Sequence, residues 1–381
     1  MPESTSDAFL SGHGVPVNPR DIETELTRLW GPAAQHVGGP DLESPHVTRI
    51  VLANLVVVSR EADLPRLEGV LDEVTTRFPC RAIVLRRTDE PGRTVSAEVS
   101  ALCHLPAPGM PQVCSERIEL RAGPEAEDLL PGAVRPLLEA DLPFVLWWTY
   151  DPREAENLFR DLGDECTRLI LDLPDPGADP GALRLGLDTS VTAHGRDSAW
   201  FGLPRWRELV AQFFDPPCHT DALARIDSVT ITALSPDAHT LPRLSAWLAA
   251  WLAGQLGWQP QGEPERTPGC LRARFRGPGG DVAVTLLTQA DPSAGAPQIL
   301  ETTLTTRAAE GAETFRLVRS APGSSEVQIH IDSHSYCTLP RLVLAPELDA
   351  ARRVAGGLES SRVDPPFQHA LPHLLWLLGP G

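Results

Sequence analysis

A histidine–aspartate cluster near the carboxyl end is the first set of residues in this sequence that could do chemistry. His330, Asp332 and His334 alternate, so on a β-strand their side chains share one face, and two imidazoles with a carboxylate could hold a metal ion. The same pattern fits the polar outer face of a strand that runs into a loop, and so short a run is weak evidence for a metal. We favour the polar face, and keep a metal- or sugar-phosphate-binding enzyme as the alternative.

Arginine is the second chemical feature, because the 33 basic residues include no lysine. A P-loop lysine, a Schiff-base lysine and a lysine general base are therefore excluded. Guanidinium groups bind phosphate through paired hydrogen bonds, so Arg81 and Arg207 are candidate phosphate-binding residues. They give a further hypothesis, a small-molecule sensor.

The common catalytic fingerprints are absent from the sequence. It contains no Gly-x-Gly-x-x-Gly after a strand, no Gly-x-Ser-x-Gly, no His-Glu-x-x-His and no calcium-binding loop. Many catalytic sites have no local motif, but these absences remove the common cofactor and hydrolase signatures, and no cofactor is expected.

Composition narrows the class of partner. The 381 residues carry a net charge of −18, which disfavours contact with nucleic acid or an anionic membrane. The seven cysteines are dispersed without a Cys-x-x-Cys pair, which is typical of reduced thiols in the cytoplasm. Met1–Gly14 has no basic start and no apolar run, so a signal peptide is not expected, and no apolar run approaches the roughly 20 residues that a membrane span needs.

The pattern of elements predicts an α/β (α+β) fold in two domains. Residues 1–45 are expected to be a flexible segment with a short helix, and residues 46–174 to be a mixed sheet covered by helices, because strands and helices alternate there. A Pro/Gly/Asp-rich boundary lies near Asp175. Beyond it, the pattern of residues 181–381 predicts two long helices and an antiparallel meander of short strands.

Tryptophan-rich segments form the third feature. Trp147 and Trp148 adjoin on a predicted strand, so their rings must face opposite sides. A helix is predicted over Trp200–Phe214, with Trp206 on its apolar stripe. Arg207 lies about 100° further around the helix and is expected to be exposed, or else to pair with a carboxylate such as Asp172 or Asp197. Most of these rings are expected to be core, although tryptophan and arginine also anchor protein interfaces.

Four segments occur in an order and spacing that resemble a known family. They are Arg77–Leu85, Leu142–Trp148, Asp197–Asp215 and Trp247–Trp258, and they resemble the OpcA family, the glucose-6-phosphate dehydrogenase assembly proteins. The resemblance implies a two-domain, non-catalytic protein. It would bind glucose-6-phosphate dehydrogenase and promote its active oligomer at the entry to the oxidative pentose phosphate pathway.

Under this hypothesis, Trp147, Trp148, Trp200, Trp206 and Arg207 are the candidates for contacting the partner or supporting the contact. Binding alone would suffice for activation, because a protein that prefers the active oligomer shifts the population toward it. Since several cysteines fall in apolar strand patterns, we predict little effect of reductant or mild oxidant on activation.

Overall fold

The computed structural model describes residues 14–30, 47–104, 112–174, 179–188, 194–308, 311–333, 336–337, 340–360 and 363–379. Within these residues the chain forms two compact units. The first takes in the described residues of Met1–Leu173, Leu185–Asp197 and Ala350–Arg362, and the second those of Pro174–Arg184, Ser198–Asp349 and Val363–Gly381. The limits 46–174 and 181–381 stay a prediction of where the domains divide. Much of the segment 1–45 lies outside the described residues.

The first unit contains nine strands among the residues described. These are β1 (Val15–Val17), β2 (Val47–Arg49), β3 (Asn54–Arg60), β4 (Arg81–Arg87), β5 (Val95–His104), β6 (Gln112–Ala122), β7 (Phe144–Trp148), β8 (Arg168–Leu171) and β9 (Gly195–Asp197). The described α-helices of the whole chain, in order, are α1 (Ile22–Leu29), α2 (Leu64–Arg77), α3 (Leu130–Val134), α4 (Glu156–Glu165), α5 (Pro180–Gly186), α6 (Pro204–Gln212), α7 (Pro217–Thr220), α8 (Arg243–Gln255), α9 (Ala350–Glu359) and α10 (Pro365–Leu378). None of these helices combines the length and apolarity needed to cross a bilayer.

The first sheet has the topology of a doubly wound fold. Six strands run parallel in the order β6-β4-β3-β7-β8-β9, β5 and β1 continue the sheet beyond β6, each antiparallel to its neighbour, and the short β2 pairs parallel with the start of β6. Counted along the chain, the six strands of this path follow the order 3-2-1-4-5-6 of dinucleotide-binding sheets. The winding reverses between β3 and β7, where a sheet of this kind has its ligand crevice.

Helices α2 and α9 cover one face of this sheet. Leu64, Leu67, Leu71 and Val74 recur at helical spacing along α2, and they pack with α9 against β3, β4 and β7. The helix begins with Pro65 in its first turn, where the missing N–H is not needed, and it ends before Pro79. Burial of this stripe fixes α2 on the sheet.

The second unit contains a second nine-stranded sheet among its described residues. Its strands are β10 (Ile226–Ser235), β11 (Gln259–Thr267), β12 (Cys270–Gly277), β13 (Gly280–Ala290), β14 (Gln298–Ala308), β15 (Gly311–Arg319), β16 (Glu326–Ser333), β17 (Tyr336–Cys337) and β18 (Arg341–Leu344). The order is β11-β12-β13-β10-β14-β15-β16-β17, and β18 pairs with β16. The predicted meander is thus divided, because β10 enters between β13 and β14 and runs parallel to β13.

Aromatic side chains fill the buried face of the second sheet. Trp247 of α8 and Phe367 of α10 pack at a centroid distance of 4.9 Å, and Phe275 of β12 packs at the same distance on Trp376. The α/β class, the helix-covered first sheet and the strand-rich second unit predicted from the sequence are confirmed by this architecture.

Two local predictions were wrong. The segment Trp200–Phe214 is not one helix: a 3₁₀ turn over Ser198–Gly202 precedes α6, because Pro204 starts a new helix readily but cannot continue an earlier one. The cysteines are not all unpaired thiols either. Cys103 and Cys114 lie directly opposite each other on β5 and β6 and form a disulfide, since the hairpin brings two distant sequence positions together.

Candidate interaction surface

Trp147 and Trp148 lie on opposite faces of β7, as predicted for neighbours on a strand. Trp147 packs in the core beneath α2 and α9, and its indole N–H donates to Asp172 at 3.3 Å. Trp148 faces the other way and meets Phe159 of α4 edge-on at 5.0 Å. Both rings are fully buried. They can support a contact surface but are not placed to touch a partner directly.

Trp200 and Trp206 are also buried, in the second unit. The N–H of Trp200 donates to Asp364 at 2.9 Å, and Trp206 lies on the predicted apolar stripe of α6, beneath the guanidinium of Arg319. A role in partner binding stays a prediction for both residues.

Arg207 was expected to be exposed or ion-paired, and the structure shows a different arrangement. Its guanidinium stacks on the Trp200 ring at 3.9 Å from the centroid and is partly buried. Among the described residues no carboxylate lies within ion-pair distance of it. Burial lowers the pKa of Arg207 to about 10, and Asp364 opposes that shift from a longer range. Asp172 and Asp197 are not its partners.

Arg81 occupies a buried ion network in the first unit. It lies 2.7 Å from Glu116, 2.6 Å from Glu23 and 3.0 Å from Glu139, and it donates to the carbonyl of Leu137. The network joins β4 and β6 to α1. A phosphate at Arg81 would have to displace these carboxylates, so the geometry favours a structural role.

The His330 cluster does not assemble a metal site in the described part of the chain. His330 and Asp332 share a face of β16, but the His330 ring contacts Gln328 at 3.2 Å, and His334 lies outside the described residues. No group of three potential metal ligands converges among the residues that are described. The described members of the cluster lie on the polar face of β16, and the prediction for His334 lies outside the described residues.

An aromatic side chain flanked by paired arginines lies at the carboxyl ends of β3 and β7. Tyr150 is buried there between two arginines, whose guanidinium carbons lie 5.2 Å (Arg60) and 5.3 Å (Arg87) from the ring centroid. Arg60 pairs with Glu154, and Arg87 pairs with Glu127 at 2.7 Å. Protein groups therefore hold the cations that could otherwise meet a nucleotide phosphate.

The first βα turn adds a second obstacle to a nucleotide. In dinucleotide-binding sheets this turn is glycine-rich, so that the backbone can approach the pyrophosphate at a helix N-terminus. Here it is a 3₁₀ turn over Glu61–Asp63 with two carboxylates and no glycine. These carboxylates would repel a pyrophosphate.

The second sheet exposes one broad face. On β12 the residues Leu271, Ala273 and Phe275 are buried, whereas the arginines between them are exposed. The register continues this alternation in a row across seven strands, formed by Glu265, Arg272, Thr285, Thr230, Thr303, Arg316 and His330. We call the surface that contains this row the open sheet face.

The size and edge of the open sheet face suit a protein partner. Its seven strands are 8 to 11 residues long. At a strand spacing of about 4.8 Å, they offer a surface on the order of 800 Å², which matches one side of a standard interface. Leu342 and Leu344 of β18, at the edge, are 57% and 63% exposed. The face is thus threonine-rich at its centre and apolar at one border.

The fold defines an α/β protein with a doubly wound first sheet and an open-faced second sheet. Two family models match the chain, described as glucose-6-phosphate dehydrogenase subunit N-terminal domain (residues 71–184) and C-terminal domain (residues 193–371). Since the two models together match most of the sequence, the chain belongs to the OpcA family of glucose-6-phosphate dehydrogenase subunits.

Two curated relatives carry the name OxPP cycle protein OpcA. The chain is 33% identical to the protein of Synechococcus elongatus over 162 residues, which are 42% of this chain and 36% of the relative. It is 31% identical to that of Synechocystis sp. over 173 residues, 44% of this chain and 36% of the relative. The matched segment therefore spans little more than a third of these relatives.

Solved structures give weaker likenesses. A glucose-6-phosphate dehydrogenase bound to its substrate glucose-6-phosphate superposes with a TM-score of 0.43 at 8% identity, over 87% of this chain and 91% of that one. Scyllo-inositol dehydrogenase from Lactobacillus casei gives 0.41 at 10% identity, over 85% and 89%. Similarities of this size say nothing about function.

Proposed function

We propose that this chain is a non-catalytic assembly factor and allosteric activator of glucose-6-phosphate dehydrogenase. It binds the dehydrogenase in the cytoplasm and promotes its active oligomer in the oxidative pentose phosphate pathway. The observation that carries the proposal is the match of both halves of the chain to dehydrogenase-subunit models.

The residues at the crevice support a role without hydride chemistry. A dehydrogenase built on this sheet would place its nucleotide beyond β3 and β7. In this chain Tyr150 and its flanking ion pairs lie at that position, and the first βα turn is acidic. The topology suited to a nucleotide is therefore retained without the local residues that bind one.

The open sheet face is the surface that we assign to the dehydrogenase. Activation by binding requires an interface large enough to distinguish two oligomeric states of the partner, because a ligand shifts an equilibrium only by its difference in affinity. A face on the order of 800 Å² is sufficient for a specific complex. Its central threonines offer hydroxyls for hydrogen bonds, and Leu342 and Leu344 offer apolar contact.

The surface assignment is tested with an arginine placed in the middle of the face. Thr230→Arg puts a long cation among Thr285 and Thr303 without removing a buried contact. Sedimentation velocity with the dehydrogenase should show a complex for the wild-type chain and a loss of at least about tenfold in affinity for this variant.

Thr76→Arg is the matched control, because Thr76 is an exposed residue of α2 in the first unit. It should bind like the wild type. If the wild-type chain forms no complex, the proposed function fails. If Thr230→Arg binds as tightly as Thr76→Arg, the function stands but the surface is elsewhere.

A further inference from the structure

A cavity in the first unit has no part in the proposed partner contact. Its volume is about 580 Å³, within the range of small-molecule sites. The floor is formed by Arg86 of β4 and by Arg117 and Arg121 of β6, and α2 contributes Glu68 and Asp72 to the wall. All of these residues belong to the same compact unit.

Each of the three arginines that line this cavity has one hydrogen-bond donor that is covered by protein. The Nε atoms of Arg86, Arg117 and Arg121 are buried, and none has a hydrogen-bond partner among the described residues. A buried N–H without an acceptor costs free energy, and native proteins seldom leave one unpaired. Because these Nε atoms are covered by protein, a ligand in the cavity would meet the other nitrogens of the three guanidinium groups.

Carboxylates hold the guanidinium groups in place. Glu119 lies between Arg86, at 3.0 Å, and Arg117, at 2.6 Å, while Arg121 pairs with Glu98 at 3.1 Å. These pairs use only part of each guanidinium, which carries five N–H donors. The arginines are therefore oriented in advance and retain donors for a ligand.

The wall supplied by α2 is set back from the arginines. Glu68 is 3.9 Å from Arg117 and 4.0 Å from Arg86, and Asp72 is 3.8 Å from Arg117. These separations exceed a hydrogen bond, so the α2 carboxylates attract the cations without accepting from them and can accept from a ligand instead. Partial desolvation raises the pKa of Asp72, although about half of its side chain (51%) is exposed.

The charges of the lining determine the class of ligand. Three arginines face four carboxylates (Glu68, Asp72, Glu98 and Glu119), so a small free anion would be repelled as well as attracted. A ligand with one phosphate and several hydroxyl groups suits both the arginines and the carboxylates. Its phosphate accepts from the guanidinium groups, and its hydroxyls donate to the carboxylates.

We propose that this cavity binds a phosphorylated sugar, with the phosphate on Arg86, Arg117 and Arg121 and the hydroxyls directed to Glu68 and Asp72. Such a site would let the chain respond to sugar-phosphate concentration independently of its contact with a protein partner.

Isothermal titration calorimetry on the full chain without any dehydrogenase tests the proposal. Glucose 6-phosphate or ribose 5-phosphate should bind saturably. Both should bind more tightly than inorganic phosphate, which lacks the hydroxyl groups, and than glucose, which lacks the phosphate. The absence of saturable binding by either sugar phosphate at millimolar concentration would overturn the proposal. Equal binding of sugar phosphate and inorganic phosphate would also overturn it.

Two variants and a control locate the site. Arg117→Gln removes a floor cation and should weaken binding by about tenfold or more. Leu102→Trp fills the cavity without changing a charge and should abolish binding, so it decides the matter if Arg117→Gln folds poorly. Arg274→Gln removes an exposed arginine from the second unit and should bind normally. Unaltered binding by a folded Leu102→Trp protein would exclude this cavity.

Discussion

At the scale of one residue, truncating Arg81 tests whether this side chain has a structural or a ligand-binding role. Arg81→Ala should lower the free energy of unfolding by about 3 kcal/mol, because it removes a buried cation from the Glu116 carboxylate. The loss should fall at the low end for buried pairs, since Arg49 still contacts Glu116. Urea denaturation measures this change.

The control for this prediction is Arg274→Ala. Arg274 is 80% exposed and lies 3.9 Å from its nearest carboxylate, so its removal should leave unfolding unchanged. An Arg81→Ala protein as stable as the wild type would show that the network contributes little. If an Arg81→Ala protein of wild-type stability no longer bound phosphate, Arg81 would be a ligand-binding residue.

Trp206 and its neighbour Arg207 should respond differently to truncation. Trp206→Ala removes a buried ring from the core side of α6 and should cost roughly 3–5 kcal/mol of stability. Arg207→Ala should change stability by less than about 1 kcal/mol, because the loss of stacking on Trp200 is partly offset by relief from burying a charge.

Thermal melting of both variants, followed by binding to the dehydrogenase, distinguishes these roles. A normally melting Arg207→Ala protein that binds weakly would make Arg207 an interface residue. If it melts and binds like the wild type, Arg207 has no place in the interface. A stable Trp206→Ala protein would contradict the packing described for α6.

At the scale of elements, the Cys103–Cys114 disulfide leads us to predict how a reductant changes stability and activation. Cys103 and Cys114 join neighbouring strands of the first sheet, whereas the open sheet face belongs to the second. Reductant should therefore lower the melting temperature, corresponding to about 2–3 kcal/mol for a loop of this length, while activation of the dehydrogenase changes little. Burial raises the pKa of both Cys80 and Cys166 to about 12, so these thiols should stay unreactive.

The double variant Cys103→Ser/Cys114→Ser is the control, and its melting temperature should no longer depend on reductant. Activation assays with and without dithiothreitol complete the test. A large, reversible loss of activation on reduction would mean that the first sheet controls the partner contact.

Local patterns in the sequence predict many of the elements, and long-range pairing accounts for what they miss. The stripe of α2 and the alternation on β12 identify these elements because each buries one face. Strand β11 was missed because Gln259–Thr267 contains two prolines and is largely exposed at the sheet edge, so it has no apolar alternation. The insertion of β10 between β13 and β14 leaves no local signal.

The candidate sites depend even more on distant pairing. The partners of Arg81 lie 35 and 58 residues away in sequence, and the row of the open sheet face draws on seven strands. Sequence reasoning therefore singled out tryptophans, which the structure buries, and passed over Thr230, Thr285 and Thr303, which are partly exposed. Strand β14 carries threonine on both faces, with Thr302 and Thr306 buried beside Leu304, so only the register shows that Thr303 joins the threonines of neighbouring strands.

For the whole molecule, we propose activation of a partner without catalysis by this chain. The sheet order suited to a nucleotide is present, Tyr150 with its two arginines lies at the switch point, and the second sheet offers a broad surface to a partner. Family membership supports glucose-6-phosphate dehydrogenase as that partner.

The most direct test adds this chain to glucose-6-phosphate dehydrogenase from the same source and measures the rate of NADP⁺ reduction at subsaturating glucose 6-phosphate. We expect the rate to rise saturably, with a lower apparent KM or a larger oligomer. The chain alone should reduce no NADP⁺, and Thr230→Arg should raise the rate less than Thr76→Arg does. A rate that stays unchanged with excess chain, or NADP⁺ reduction by the chain alone, would contradict the account.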